Sequence, residues 1–204
     1  DAGWLLHSEV CIWKDPVTAQ QRTKSIRLLH MQLVKDSAMS GQGLADYIVT
    51  FRKPGDNPKP ISSGFDRYIG NPEDEPNRSK YTMPMDARNW YSIEIWQRYA
   101  SPVWMDIRQT RTLQYRGGRA EKDEQHISPL QLDVIERCID LWSNPGDTVL
   151  TPFLGIGSEV YCAAKMDRNG IGIELKPSYF AQAKRNLEGL KTETGGLFAE
   201  AANG

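Results

Sequence analysis

Paired cysteine is missing from this sequence. Cys11, Cys138 and Cys162 lie far apart, form no Cys-x-x-Cys and are odd in number. That pattern excludes a disulfide framework and a zinc ribbon, and is the one expected of reduced thiols in a cytoplasmic protein. Long apolar runs are missing too: no stretch approaches the roughly 18 residues a membrane-spanning helix needs, so no membrane partner is expected. The first ten residues, DAGWLLHSEV, place an acid where a signal peptide carries basic residues, and no Met begins the chain. A trimmed chain, or one starting partway into a fold, is expected to read this way. Charge of one sign is also lacking. Lys and Arg number 25 against 26 Asp and Glu, a net charge of −1, so any contact with nucleic acid requires a local basic surface. His7 and His30 have no partners at metal-ligand spacing.

What is present is the composition of a globular chain, 39% hydrophobic and 25% charged over 204 residues, enough for one domain with a sizeable insertion. SEVCIWKDP alternates and stops at Pro16, which predicts a strand. Residues 20–36 carry Ile26, Leu29, Leu33 and Val34 at helical spacing, which predicts one amphipathic helix with a basic outer face. DYIVTFRKPG predicts a second strand, ended by Pro54-Gly55. Residues 55–100 are punctuated by prolines and read as a loop-rich insertion with a short helix near DARNWYSIEIWQRY. PVWMDI reads as a short strand.

From residue 126 the periodicities sharpen. HISPLQLDVIERCIDLW places Leu132, Ile135, Ile139 and Trp142 on one helical face, with Ser128 as N-cap, Pro129 in the first turn and Gln131 completing a capping box. TVLTPF is a buried-type strand, GIGS a turn, and residues 158–167 a helix. IGIEL is a second buried-type strand, KPSYFAQAKRNLEGL a further helix, and 191–204 a flexible tail. Strands alternating with helices imply a parallel, doubly wound α/β sheet, whose ligands sit beyond the carboxyl ends of the strands.

Gly155 and Gly157 stand at such an end, and Glu174 stands at the tip of the next strand. Glycines there permit a sharp turn and close approach of a ligand to the backbone. A carboxylate about twenty residues on can accept hydrogen bonds from both ribose hydroxyls of an adenosine. Val160 occupies the place of the third glycine of a dinucleotide fingerprint. There is no Gly-Lys-Ser/Thr, and PFLGIGSE holds no cation for a phosphate but does hold the acid Glu159. The cofactor these features suit is a nucleoside without a pyrophosphate, and S-adenosylmethionine fits.

TPFLGIGSE followed by GIGIELKPSYF resembles the S-adenosylmethionine-binding motifs of DNA amino-methyltransferases, and HISPLQLDVIERCI resembles their upstream cofactor motif. The order of motifs is that of the permuted group in which the catalytic half comes first, and the likeness is strongest to phage- and prophage-type adenine enzymes. The resemblance implies an incomplete Rossmann-like methyltransferase fold with a loop-rich insertion. Residues 1–54 would be late strands of the catalytic half, 55–100 a target-recognition region and 101–190 the cofactor half. It implies cofactor contacts from His126, Ile127, Ser128, Thr151, Pro152, Phe153, Gly155, Gly157, Ser158, Glu174 and Leu175. It implies duplex DNA as partner, with Arg67, Arg78, Lys80 and Arg88 either placed for phosphate contacts or set in a solvated loop with core aromatics, and either a second copy or a larger parent polypeptide beside it.

The sequence departs from the family pattern in three places. Thr151 stands for the usual Asp of the loop, and Ile127 for the usual Pro. The family's Asp/Asn/Ser-Pro-Pro-aromatic catalytic loop is absent, so a fragment lacking its catalytic strand, or a degenerate protein, is expected, and the chain alone is expected to be inactive. Ser101-Pro102-Val103-Trp104 is a tempting substitute, but Val103 replaces the second proline, so these residues are read as structural. The competing class is a non-catalytic nucleoside- or DNA-binding module of a larger phage protein.

Overall fold

The structure, a computed structural model, describes residues 3–57, 59, 61, 95–115, 117 and 128–201, the last stretch from 191 by its backbone alone. The chain forms two compact units, one of Asp1–Pro58 with Trp96–Ile107 and one of Lys59–Ile95 with Arg108–Gly204.

In the first unit, strand β1 (Leu5–Ile12) lies between β2 (Asp46–Arg52), antiparallel to it, and the two-residue β3 (Val103–Trp104), parallel to it. Val10, Ile12 and Trp104 form the buried side, Trp104 with only 1% of its surface exposed. Its indole Nε1 donates to the Tyr99 carbonyl at 3.1 Å, so the ring is packed and its polar atom satisfied. The Ser101 hydroxyl is bonded to its own turn, donating to the Val103 carbonyl at 2.8 Å. Of these four residues Trp104 is buried, whereas Pro102 and Val103 are exposed.

The single helix expected over 20–36 is broken. Helix α1 (Pro16–Thr23) starts on Asp15, whose carboxylate accepts from the Val17 and Thr18 amides, and ends on Lys24 in the left-handed region at φ 57°. A 3-10 turn (Ile26–Leu28) and a short α2 (His30–Lys35) follow. The cause is local competition. The Thr23 hydroxyl donates to the Ala19 carbonyl and accepts from the Ser25 amide, which offers the backbone a turn in place of further helix. Ile26, Leu33 and Val34 consequently remain more than half exposed.

In the second unit, α3 (Leu132–Trp142) leads to β4 (Thr148–Thr151), α4 (Ser158–Lys165), β5 (Asn169–Gly172) and α5 (Pro177–Ala201). Strands β4 and β5 pair in parallel, Thr148 opposite Asn169 through Thr151 opposite Gly172. Leu132, Ile135 and Ile139 of α3 pack on Cys162 and Ala163 of α4, while Trp142 stays 39% exposed. Burial pushes the Cys162 thiol up to about 12, leaving it an inert apolar filler. This strand–helix–strand–helix order is the expected α/β architecture.

Several boundaries differ from expectation: β5 spans Asn169–Gly172 rather than IGIEL, and α4 ends at Lys165 rather than at 167. Helix α3 starts at Leu132, not at Pro129, and its N-cap residue Gln131 makes no side-chain cap. The Leu132 amide donates instead to the Arg111 carbonyl at 2.9 Å, so the first amide of the helix is satisfied from elsewhere in the chain. Helix α5 continues past residue 190 to Ala201, where a tail was expected. Gly195 and Gly196 weaken it, each by about 1 kcal/mol relative to alanine, without ending it.

The segment entering α3 is held by charge. Asp133 accepts from Arg108 (backbone N 2.8 Å, Nη2 2.7 Å) and from Arg111 Nη1 at 2.6 Å, and Arg111 also engages Glu136. Burial alone would raise the Asp133 pKa, but the bonds from Arg108 and Arg111 outweigh it and hold the carboxyl at about 2, against 3.8 ordinarily. The folded state therefore favours the ionised form. Its contribution is present above pH 4 and is lost as pH falls from about 4 toward 2, at most about 2 kcal/mol. Urea unfolding at pH 6 and at pH 3 should show this loss, and Asp133→Asn should be less stable at pH 6 with a flatter acid dependence. An Asp133→Asn curve parallel to wild type between the two pH values would refute the assignment.

Among the described residues no helix is long and apolar enough to cross a membrane, and no group of three or more His, Cys, Asp or Glu could hold a metal.

Candidate functional site

The carboxyl ends of β4 and β5 converge on one loop. Thr151 ends β4, is buried, and accepts the Ile173 amide on its carbonyl at 3.0 Å. Its hydroxyl accepts from the Phe153 amide at 3.3 Å, so this residue, standing where a carboxylate was expected, still organises the turn. The Leu154 amide then donates to the Ile173 carbonyl at 2.9 Å, extending the strand pairing by one bond into the loop.

Gly155 and Gly157 both adopt the left-handed region, at φ 54° and φ 93°. Their surroundings differ. A side chain at Gly155 would meet no atom within 4 Å, so only the backbone conformation demands glycine and the position is open to a ligand. At Gly157 a Cβ would lie 3.0 Å from Ala183 Cβ and 3.3 Å from Ala183 Cα, so helix α5 is packed directly against the loop. Gly157 is also the N-cap of α4, and the Tyr161 amide bonds to its carbonyl at 2.8 Å.

Glu174, just beyond β5, closes the other side. One carboxylate oxygen accepts from the Gly155 amide at 2.7 Å and the other from the Lys176 amide at 2.8 Å. A carboxylate offers about four lone-pair sites. Two backbone bonds thus orient Glu174 and leave capacity for two more donors, such as a pair of vicinal hydroxyls. Pro152, Phe153 and Leu175 are exposed around it, Phe153 by 84% and Leu175 by 94%, which makes an apolar rim beside an acid. The ammonium of Lys176 lies over the Tyr179 ring, 4.6 Å from its centre. Glu159, in the first turn of α4, has its carboxyl pushed up by burial. A rim, an oriented carboxylate and an open glycine suit a sugar and a flat apolar ring better than a pyrophosphate.

The structure thus brings together Thr151, Pro152, Phe153, Gly155, Gly157, Glu174 and Leu175, and buries Ser158 at the start of α4. Ser128 is exposed and lies before α3. His126, Ile127, Arg67, Arg78, Lys80 and Arg88 lie outside the described residues. Val160, where a dinucleotide fingerprint would carry glycine, has its space supplied from the facing strand: a Cβ on Gly170 would fall 2.7 Å from Val160 Cγ1. Gly172 likewise makes room for Leu154.

Sequence reasoning missed the back of the loop. Asn186 Nδ2, on α5, donates to the Ile156 carbonyl at 2.9 Å, and the buried Gln182 donates to Asn186 Oδ1 at 2.9 Å. The available signal was the i, i+4 spacing of two amides on the helix after Pro177, flanking the small residue Ala183.

In the other unit, an open hollow of about 350 Å³ lies at the carboxyl end of β1, lined by Cys11, Trp13, Leu28, Leu44 and Val103. Lys14 at its edge pairs with Asp46 at 2.6 Å.

Comparison with known proteins places these features in context. A family model described as DNA methylase, of the N6/N4 type, matches residues 8–185. The type II methyltransferase M.MjaI of Methanocaldococcus jannaschii is 27% identical over 161 residues, 73% of this chain and 50% of that protein. M.BglI of Bacillus subtilis is 34% identical over 101 residues, 50% of this chain and 26% of that protein. The crystal structure of TTHA0409 from Thermus thermophilus, a candidate DNA modification methylase complexed with S-adenosyl-L-methionine, superposes with a TM-score of 0.51 at 23% identity, over 91% of this chain and 54% of that one. That likeness is one of fold. The chain spans half or less of these curated relatives and about half of the solved structure.

Proposed function

Since the chain belongs to the N6/N4 DNA methylase family, we propose that it is the S-adenosylmethionine-binding part of an enzyme that methylates an exocyclic amino group in duplex DNA, that of adenine. The observation that carries the cofactor assignment is Glu174, oriented by the Gly155 and Lys176 amides with two acceptor sites to spare. On this reading Glu174 holds the ribose hydroxyls. Gly155 lets the ligand reach the main chain, Thr151, Gly157 and Ser158 shape the loop, and Pro152, Phe153 and Leu175 flank the adenine. His126, Ile127 and Ser128 line the cofactor from the other side. When bound, the cofactor would supply an electrophilic sulfonium methyl, with S-adenosylhomocysteine as its leaving group, to the amino nitrogen of a flipped base, so no protein nucleophile is required. Arg67, Arg78, Lys80 and Arg88, interleaved with aromatics, are the proposed phosphate contacts.

These 204 residues contain no Pro-Pro-aromatic sequence, so no methyl transfer is expected from them alone. Transfer from S-adenosylmethionine to duplex DNA, followed by mass measurement of the digested nucleosides, tests this. N6-methyladenine formed by this chain alone would overturn the expected inactivity, and N4-methylcytosine the choice of base as well. The same absence favours a second reading, a nucleoside- or DNA-binding module of a larger phage protein. A catalytic loop elsewhere on the parent polypeptide decides for the enzyme, and its absence there for the module.

Calorimetric titration with S-adenosylmethionine and S-adenosylhomocysteine tests the cofactor site. Saturable binding of both is expected. A folded chain that binds neither would remove the assignment.

A further inference from the structure

The amide pair behind the glycine loop does more than close a helix against a turn. Asn186 Nδ2 reaches two carbonyls, Ile156 in the loop at 2.9 Å and Gln114 at 3.3 Å. Gln182 Nε2 bonds to the same Gln114 carbonyl at 3.1 Å and to Asn186 Oδ1 at 2.9 Å. Arg185 Nη2 adds the Gly117 carbonyl at 2.9 Å and Gln182 Oε1 at 2.7 Å. Gly117 leaves the room this needs, since a Cβ there would fall 2.4 Å from Gln182 Oε1. Gln182 is only 4% exposed. One face of α5 therefore fastens two stretches distant in sequence. One is the Gly155–Gly157 loop. The other carries Gln114 and Gly117, which precede His126, Ile127 and Ser128 along the chain.

We infer that Asn186 is a positioning residue for the cofactor site, setting the Ile156 carbonyl and, with Gln182, coupling the glycine loop to the Gln114 backbone. The inference rests on the reading of that loop as an S-adenosylmethionine site. Its physical basis is the sharing of acceptors. The Gln114 carbonyl is held by two side chains, one of which also holds the loop, so displacement of either stretch disturbs the bonds of the other. The Ile156 peptide lies between the two left-handed glycines, where the backbone has the most freedom to move if its carbonyl is released. A site built on a loop loses affinity when that loop must be ordered on binding.

Hydrogen exchange read by mass spectrometry, with calorimetry, tests this on the wild-type chain, Asn186→Leu and Ile139→Val. Ile139 is in the core of the same unit and makes none of the amide cluster's hydrogen bonds, so its variant controls for lost stability. In the ligand-free protein, Asn186→Leu should exchange faster in peptides covering both 113–117 and 154–158, and Ile139→Val in neither beyond its global destabilisation. Asn186→Leu should bind S-adenosylmethionine about five- to tenfold more weakly, the size of effect expected for loss of one or two hydrogen bonds. It should also lose the slowing of exchange at 113–117 that the cofactor produces in wild type. Unchanged exchange at 113–117 in ligand-free Asn186→Leu, or an affinity loss no larger than that of Ile139→Val at equal melting temperature, would overturn the coupling. Absence of binding by wild type, with both peptides still loosened by Asn186→Leu, would overturn the cofactor reading and uphold the mechanical link.

Discussion

Gly157→Val should abolish S-adenosylmethionine binding and destabilise the unit that contains the loop. Two costs add. The backbone at φ 93° is disfavoured for any residue with a Cβ and most of all for a β-branched one, by roughly 1–3 kcal/mol. A Cβ there would also sit 3.0 Å from Ala183 Cβ and 3.3 Å from Ala183 Cα, the second a backbone atom that moves only if α5 moves. Because α5 also carries the Asn186 contact to the loop, its displacement loosens the turn it is meant to fix. Gly155→Val separates the two costs. It has the conformational penalty, at φ 54°, with nothing within 4 Å of the new Cβ. It should be the more stable of the two variants and still bind poorly, because its side chain projects into the space proposed for the ligand. Chemical denaturation and calorimetry on both variants check the ordering. Wild-type affinity in Gly157→Val would mean that the loop is not the binding element.

Glu174→Ala should weaken S-adenosylmethionine by roughly a hundredfold, the loss expected for two charge-assisted hydrogen bonds. The change also leaves the Gly155 and Lys176 amides without their acceptor, so a fall in affinity alone does not separate ribose recognition from loop disorder. The ligand can separate them. An S-adenosylhomocysteine analogue lacking both ribose hydroxyls should bind wild type and Glu174→Ala with nearly equal affinity, the residual difference being the contribution of loop order. If that analogue suffers the same hundredfold loss on substitution, Glu174 acts only as a brace for the turn, and the ribose is recognised elsewhere. Glu174→Gln is the intermediate case. Its amide oxygen can take one backbone N–H, but its NH2 group faces a donor in the other, so it should fall between the two.

Much of the site was legible because its grammar is local. A strand of apolar residues, two glycines one apart, a helix and an acid at the next strand tip are all set by neighbours within a few residues, and the structure has each in that order. The apolar face of α3 was equally plain at Leu132, Ile135 and Ile139, since a 3.6-residue period needs no knowledge of the partner.

What local pattern could not supply were the partners brought by the fold. The capping box at Ser128 has the right letters, but a backbone amide takes whichever acceptor is presented, and the fold presents the Arg111 carbonyl to Leu132. The apolar stripe of 20–36 has the right period, yet Lys24 turns left-handed and the Thr23 hydroxyl competes for the backbone, so the stripe never becomes one helix. The division of the loop's two glycines, one open and one jammed against Ala183, depends on the approach of α5. So does the grip of Asn186 on Ile156, thirty residues away. That a glycine turn and an acid meet at the ends of two parallel strands follows from the order of residues, because turn chemistry and hydrophobic period act at short range. How that turn is held follows from the fold, because hydrogen bonds and close packing between distant residues exist only once the chain has brought them together.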